Sequence, residues 1–232
     1  MPSQTKDHFT RTPRTTVRRR PARARYDRQT VHAILDEALF CHVGFVVDGQ
    51  PFVIPTIHAR LREVVYLHGS SASRMLRTLA EGVEVCLTAT ILDGLVLARS
   101  AFHHSMNYRS VMVFGRAREV VDLREQRRAL QAVVEHVVPG RWADARHPSE
   151  AELRQTKLLA LALSEASAKV RTGPPLDDES DYELPLWAGE LPLRLTPLAA
   201  RPDPRLPGGI AVPSYVTGYE RPIGPGRPKP EV

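Results

Sequence analysis

Two Asp-Gly pairs set between runs of β-branched and aromatic residues limit what this chain can fold into more than any other feature. The first joins CHVGFVV to QPFVIPTIHAR at Asp48-Gly49, and the second interrupts VEVCLTATILDGLVLARSAF at Asp93-Gly94. Asp-Gly suits the two positive-φ positions of a tight hairpin, so each pair predicts two antiparallel strands. Pro51 and Pro55 remove ladder donors and call for an edge, a bulge or a bend in the second strand. Further strands are expected at Val64 onward, in YRSVMVFGRAREVVD with a bend at Gly115, at Leu158–Leu163 and over Trp187–Leu195. Between them, Asp27 caps a helix with Val31, Ile34, Leu35, Ala38 and Leu39 on one stripe. Arg124–Val138 carries a second apolar stripe, and Ser149 with Glu152 forms a capping box. SAKVRTGPP is read as an exit loop holding Lys169 and Arg171. Without a βαβ rhythm or a GxGxxG turn, the sum is a mainly β fold. It is a small barrel of six or seven antiparallel strands with flanking helices.

The ends differ in character from this middle. Residues 1–25 are rich in Arg, Thr and Pro and are expected to form a flexible basic arm. From 199 to 232 proline is too frequent for packed elements, so an extended tail is expected, one suited to wrapping a partner subunit. The domain proper is then 26–198. The formal charge of +6 is concentrated in these ends, without the aromatic-studded basic strand or helix-turn-helix that specific nucleic-acid binding requires. No apolar run approaches the roughly 18 residues of a membrane span, and no signal-peptide core follows the basic start, so a cytoplasmic protein is expected. Cys41 and Cys86 lack metal or disulfide spacing and read as buried thiols.

The stretch VVYLHGSSASRMLRTLA, residues 64–80, carries the clearest chemistry. A strand feeds a small-residue loop and then a helix with Met75, Leu76 and Leu79 on its buried side. Backbone N–H groups at such a helix start favour an anion. Ser70, Ser71 and Ser73 add hydroxyl donors and Arg74 a guanidinium. The other reading is a serine-rich helix start beside a solvated arginine. No nucleophile-elbow serine accompanies a His and Asp, so hydrolase chemistry has no support.

Three segments in order resemble the pyridoxamine 5′-phosphate oxidase-like, FMN-binding split-barrel proteins, in particular the branch containing nitroimidazole-resistance proteins. YLHGSSASRMLRTL is similar to the strand–loop–helix whose Ser-Arg pair, here Ser73-Arg74, meets the flavin phosphate. VIPTIHAR is similar to the strand that runs along the isoalloxazine ring, here Ile54, Pro55 and Thr56. NYRSVMVFGRA resembles an Arg-Gln-Val…Gly strand, with Arg109, Ser110, Val111 and Gly115 in place. The resemblance implies an FMN-dependent oxidoreductase acting on a small acceptor, nitroaromatic or quinone-like, in a homodimer with its FMN sites at the subunit interface. His68, Gly69 and Ser70 join the phosphate side, while Thr88, Tyr108, Ser110 and Trp187 are candidates for the ring. A Lys of the oxidase is replaced by Met75, with Arg109 or Lys169 as the substitute cation. Thr196 stands where the oxidase has a His after Trp187 and Arg194-Leu195, so oxidation of pyridoxamine phosphate is not expected. A deazaflavin or haem in place of FMN, and a non-catalytic storage or sensing module, remain as alternatives. His68, His103 and His104 are read either as proton donors near the ring or as hydrogen-bonded structural histidines, with no metal site.

Overall fold

A computed structural model of the chain describes residues 7–221. In chain order its strands are β1 (Ala24–Arg25), β2 (Phe40–Val47), β3 (Gln50–Leu61), β4 (Val64–Ser70), β5 (Glu84–Leu97), β6 (Ser105–Glu119), β7 (Thr156–Ala162), β8 (Glu165–Arg171) and β9 (Gly189–Pro192). The helices are α1 (Arg28–Glu37), α2 (Arg74–Ala80), α3 (Leu123–Val137), α4 (Glu150–Gln155) and α5 (Ser214–Thr217).

Antiparallel pairings close six strands into a ring, in the order β6-β5-β2-β3-β4-β7 and back to β6. The barrel is split because β6 changes neighbour along its length: Tyr108–Phe114 pair with β8, and Ala117–Glu119 with β7. β1 extends the β8 side and β9 extends β5. Alternation along the strands sends Cys41, Val43, Leu87, Val111 and Val113 into one core, which α1 closes with Val31, Ile34 and Leu35 and α2 closes with Met75, Leu76 and Leu79. A smaller cluster of Tyr66, Val120, Ala129, Leu158 and Ala160 lies under α3. Burying such side chains contributes about 1.5–3 kcal/mol each relative to exposure.

Several sequence signals act as expected. Asp48 and Gly49 take φ of 50° and 75° and join β2 to β3 with Val47 opposite Gln50, the two-residue hairpin that the first Asp-Gly implied. Pro51 and Pro55 pair only with β2; β3 meets β4 from His58 to Leu61, so the prolines sit along a free edge. Asp27 accepts from the Thr30 N–H at the start of α1, and Ser149 with Glu152 completes a capping box on α4.

Other expectations are corrected. The second Asp-Gly makes no hairpin. β5 runs straight through it with a bulge between Leu92 and Gly94, and the chain turns only after Leu97. Glycine is required there because a Cβ on Gly94 would stand 2.9 Å from the Leu191 carbonyl oxygen of β9. Asp93 at the bulge is left to face a partner described below. The turn itself is pinned by buried Asp177, whose carboxylate accepts from the Arg99 and Ser100 N–H groups and the Arg99 guanidinium. The expected exit loop is strand β8, because its small residues Ala166 and Ala168 let it pack closely on β6. The strand expected over Trp187–Leu195 shrinks to β9.

The expected flexible arm is a strap over its described part. Phe9 is buried in the main core, the Arg28 guanidinium lies 4.3 Å from its ring centre, and Arg14 bonds Glu84 and Glu165. Residues 1–6, and the tail beyond 221, lie outside the described residues. Cys41 and Cys86 are free thiols, and burial pushes Cys41 up to about 12.

Candidate functional site

The sequence-predicted residues divide into three places. The first is the cradle between β4 and α2. Ser73 is the N-cap, its Oγ accepting from the Leu76 N–H at 3.4 Å, and Ser70 Oγ accepts from the Ala72 N–H at 3.2 Å. Each hydroxyl therefore keeps its own proton to donate outward. Inside the loop the Ser71 and Ser73 N–H groups are already bonded, to the Gln155 and Ser70 carbonyls. The backbone donors left to an anion are those of Arg74 and Met75, the first helical residues, which have no acceptor within the helix. The Arg74 guanidinium lies 4.4 Å from the centre of the Phe52 ring. Phe52 in turn stacks on Phe45 with centroids 5.5 Å apart. Among the described residues no carboxylate pairs with Arg74. Held by an aromatic face and left without a counter-charge, it is a cation ready for a ligand phosphate. Gly69 and His68 precede the loop. The His68 Nδ1 is buried without a partner, and burial lowers its pKa, keeping the imidazole neutral.

The second place is the outer face of the sheet. The ladders put His42 beside Pro55 and Thr88, Thr88 beside Met112, Thr90 beside Ser110, and Ser110 beside Lys169. These residues therefore share one side of β3, β2, β5, β6 and β8, with Tyr108 opposite Leu92 at its end. Thr88 donates to the Val111 carbonyl at 2.9 Å and Ser110 to that of Lys169 at 3.4 Å. Lys169 lies in a strand, not a loop. Large apolar side chains stand uncovered on this face, Phe40 at 53%, Val53 at 64% and Met112 at 41% exposure among them. Ile54 and Thr56 belong to the opposite side, since they pair with Val43 and Cys41 of the core. Of the strand expected to run its backbone along the ring, Ile54 to Thr56, only Pro55 has its side chain on the outer face. Trp187, expected as a wall, is 71% exposed within the single chain.

The third place is the barrel mouth under α1, where Arg109, expected beside a phosphate, is paired with carboxylates of the chain itself. Arg109 is 4% exposed and holds two carboxylates at once. Its Nη1 and Nη2 donate to Glu37 at 2.5 and 2.8 Å, and its Nε and Nη2 donate to Asp93 at 2.8 Å. Burial lowers its pKa, but the bonds to Asp93 and Glu37 outweigh that and raise it. Four of the five N–H donors of this guanidinium are taken by the two carboxylates, which also offset its charge. A cleft of about 240 Å³ beside it is lined by Arg25, Thr30, Ala33, Ile34, Val170 and Thr172.

His103 and His104 are structural in their contacts. His103 lies 3.4 Å from Asp178, and His104 Nδ1 lies 3.0 Å from the Ser100 carbonyl. Sequence reasoning missed Phe52 as the support of Arg74, and His42 and Phe40 as members of the outer face. The alternation of FCHVGFVV was the available signal, since Cys41 and Val43 inside put Phe40 and His42 outside.

The profile of the family described as pyridoxamine 5′-phosphate oxidase matches residues 27–170, more than half of the chain. Among solved structures, the flavocytochrome Anf3 from Azotobacter vinelandii is 43% identical, over 90% of this chain and 98% of that one, with a TM-score of 0.85. An FAD and heme binding protein from Mycobacterium smegmatis is 33% identical, over 87% and 99%, with a TM-score of 0.83. A protein described as a putative 5-nitroimidazole antibiotic resistance protein, from Bacteroides thetaiotaomicron, is 25% identical over 63% and 86%, with a TM-score of 0.53. No curated protein matches the sequence. Among the described residues no helix is long and apolar enough to cross a membrane. The split ring of antiparallel strands, the profile match and the 43% identity agree, and the chain belongs to the pyridoxamine 5′-phosphate oxidase family.

Proposed function

We propose that this chain binds a flavin nucleotide, FMN or FAD, with its phosphate in the Ser70–Arg74 cradle and its ring against the outer sheet face, between two copies of the chain. The observation that carries this reading is Arg74, stacked on Phe52 and without a carboxylate partner among the described residues, at the mouth of a serine loop in a chain similar to a flavocytochrome and an FAD and heme binding protein. The residues fit the group. Arg74 neutralises phosphate charge, Ser70 and Ser73 donate their hydroxyl protons, and the N–H groups of Arg74 and Met75 close the cradle. Thr88 and Ser110 place hydroxyl groups at the ring edge, while Pro55 and Met112 offer apolar contact that excludes water. Bound there, a flavin supplies a hydride or electrons to a small acceptor, nitroaromatic or quinone-like in chemistry, in a cytoplasmic oxidoreductase. Thr196 in place of the oxidase His argues against the vitamin B6 reaction.

The test is the visible spectrum of the purified protein, followed by denaturation and identification of the released nucleotide as FMN, FAD or a deazaflavin. No chromophore and no uptake of added flavin would overturn the reading. Replacing Arg74 with alanine is expected to weaken flavin binding by about 1.5–3 kcal/mol, roughly 10- to 150-fold in Kd. Fluorescence titration checks it; an unchanged Kd would remove the cradle from the site.

His68 favours a second reading in which haem is bound as well. Its neutral imidazole has an unpartnered buried Nδ1, the state of a histidine available to ligate iron. A Soret band in the wild type that is lost in His68→Ala, with the flavin bands kept, is the expected result. A band unaffected by that substitution would exclude His68.

A further inference from the structure

The strap that stands where a flexible arm was expected ends in a run of cations. Arg18, Arg19, Arg20 and Arg25 are exposed and Arg23 is half-buried. Arg14, Arg28 and Arg60 each hold a carboxylate. Among the described residues none of the five strap arginines does, nor does Lys169 of β8, which lies opposite Ala24. Arg171, further along β8, is 6% exposed and donates only to neutral groups, Asn107 Oδ1 and the Gly173 and Pro174 carbonyls. Its Nε is buried without a partner. Burial, and then the Arg23 charge near it, lower the Arg171 pKa. Glu190 works the other way, and its carboxylate accepts from Asn107. A positive excess therefore gathers along this rim of the sheet.

The segment that carries the charges is ordered by its own contacts. Phe9 sits in the main core. The Tyr26 hydroxyl accepts from the Val17 N–H at 3.1 Å and donates to the Thr15 carbonyl at 3.3 Å. Arg20 takes φ of 58° and ψ of 57°, an unfavourable conformation for a residue with a Cβ. It opens the single turn Pro21–Arg23, in which the Arg23 N–H donates to the Arg20 carbonyl at 3.0 Å. β1 then joins the sheet edge. Arg25 Nη1 spans the Ala22 and Ala24 carbonyls at 2.9 and 2.8 Å, which fixes its guanidinium. Charges ordered in advance lose less entropy when a partner arrives.

Exposure decides the class of partner. A small ligand needs a concave site that buries most of it, and of the strap arginines only Arg25 lines the cleft under α1. Exposed arginines along an edge suit a protein surface, where arginine is enriched. Residues 18–25, RRRPARAR, hold no aromatic side chain on which a base could stack and no large apolar one to enter a membrane. The complementary surface is that of an acidic protein. Position decides what such a partner can do. Ser110 lies opposite Lys169, and Lys169 opposite Ala24. β1 is thus two strands from Ser110, roughly 10 Å at about 4.8 Å per strand.

We infer that the rim of residues 18–25 is the docking surface for the acidic face of a one-electron donor protein, which reduces the flavin across the sheet edge. Each encounter oxidises the donor by one electron. Two encounters, with two protons taken from water, reduce the flavin that the small acceptor then reoxidises. A short-lived contact of this kind needs only a small interface, and its charges act chiefly on the rate of encounter. The inference rests on the flavin reading above for the destination of the electrons, but not for the docking.

The experiment mixes the flavin-loaded full chain with a reduced plant-type ferredoxin, a small acidic iron–sulfur protein, in a stopped-flow spectrometer. The flavin reduction rate is expected to fall at least about 10-fold between roughly 20 and 300 mM salt. The variant Arg18→Glu with Arg19→Glu and Arg23→Glu should keep the circular dichroism of the wild type. At low salt it should be reduced at least about 10-fold more slowly by the ferredoxin, yet within about two-fold of the wild type by dithionite. A rate indifferent to salt and to the variant would overturn the docking surface and leave the flavin reading standing. In a chain that takes up no flavin, calorimetric binding of the ferredoxin that is lost in the variant would support the surface. The same result would overturn the flavin reading and the electron delivery. Tighter binding of a 20-base-pair DNA duplex than of the ferredoxin at equal salt would overturn the partner class. A variant whose oligomeric state differs from that of the wild type by sedimentation would assign the rim to a second copy and overturn the inference.

Discussion

Arg109→Met lowers the unfolding free energy by about 3–5 kcal/mol, the scale expected when one partner of a buried ion pair is removed. The magnitude follows from what is left behind and not from the worth of the bonds themselves. Arg109 lies between Glu37, from the end of α1, and Asp93, from the bulge of β5. The two side chains are 7 and 15% exposed. Without the guanidinium, two carboxylates face each other at a mouth where solvent reaches neither well. Methionine keeps the volume and the apolar stem, so the packing loss is small. The cost therefore comes from the carboxylate charge that the guanidinium offset. Adding Glu37→Gln and Asp93→Asn to Arg109→Met is expected to recover a large part of the loss, because neutral amides need no cation. Urea denaturation of the three proteins checks both steps. A single-variant loss below about 1 kcal/mol would mean that the triad behaves as a surface pair. Flavin affinity should hold in the folded fraction, since the Arg109 charge is already offset by Glu37 and Asp93.

That triad also marks where the sequence stopped being readable. The barrel was legible because most strands announce themselves by local signals: alternation in FCHVGFVV, Asp48-Gly49, the capping residues Asp27, Ser73 and Ser149. Ser73-Arg74 was legible for the same reason, as a short segment whose role depends on its own neighbours in the chain. Arg109 was not. Its motif position suggests an anion ligand, but its role is decided by Glu37 and Asp93, which lie 72 and 16 positions away. The second Asp-Gly was misread because the dipeptide signals backbone permissiveness, and that serves a bulge as well as a turn. Phe9 was hidden in a basic, proline-containing stretch whose composition indicates disorder, although one aromatic side chain reaching the core is enough to order it. β8 was hidden because Ala166, Ser167 and Ala168 have little strand propensity and gain their place by fitting closely against β6.

Acid weakens the fold from near pH 6.5 downward, before the carboxylates are reached, and His58 is the main cause. Its ring is completely buried, with Nε2 2.9 Å from the Leu35 carbonyl at the end of α1. That contact makes Nε2 the donor and leaves Nδ1 as an unprotonated, buried atom without a partner. A second proton would put a charge where water cannot reach it, 4.9 Å from the His136 ring. Burial first, and His136 next, push the His58 pKa down to about 4. His136, whose Nε2 lies 2.9 Å from the Ala38 carbonyl, is lowered in the same direction by burial and by Arg221. Asp36 works against both shifts, and it is itself held by Arg60 at 2.5 and 2.9 Å. The sign follows from proton counting. Between the unfolded pKa near 6.5 and the folded value near 4 the unfolded chain binds more protons, so stability is full above pH 6.5 and falls as pH drops through that window. For His58 alone the loss across the window is about 3 kcal/mol. His58→Gln keeps an amide donor for the Leu35 carbonyl but cannot titrate. Its unfolding free energy should be lower than that of the wild type at pH 7.5 and should approach or exceed it at pH 4.5. Parallel pH dependence of the two proteins would show that the neutral imidazole has no part in joining α1, β3 and α3. Two of these elements, α1 and α3, also receive Arg221, which donates to the carbonyls of Asp36, Glu37 and His136, so acid that loosens this junction should also release Arg221.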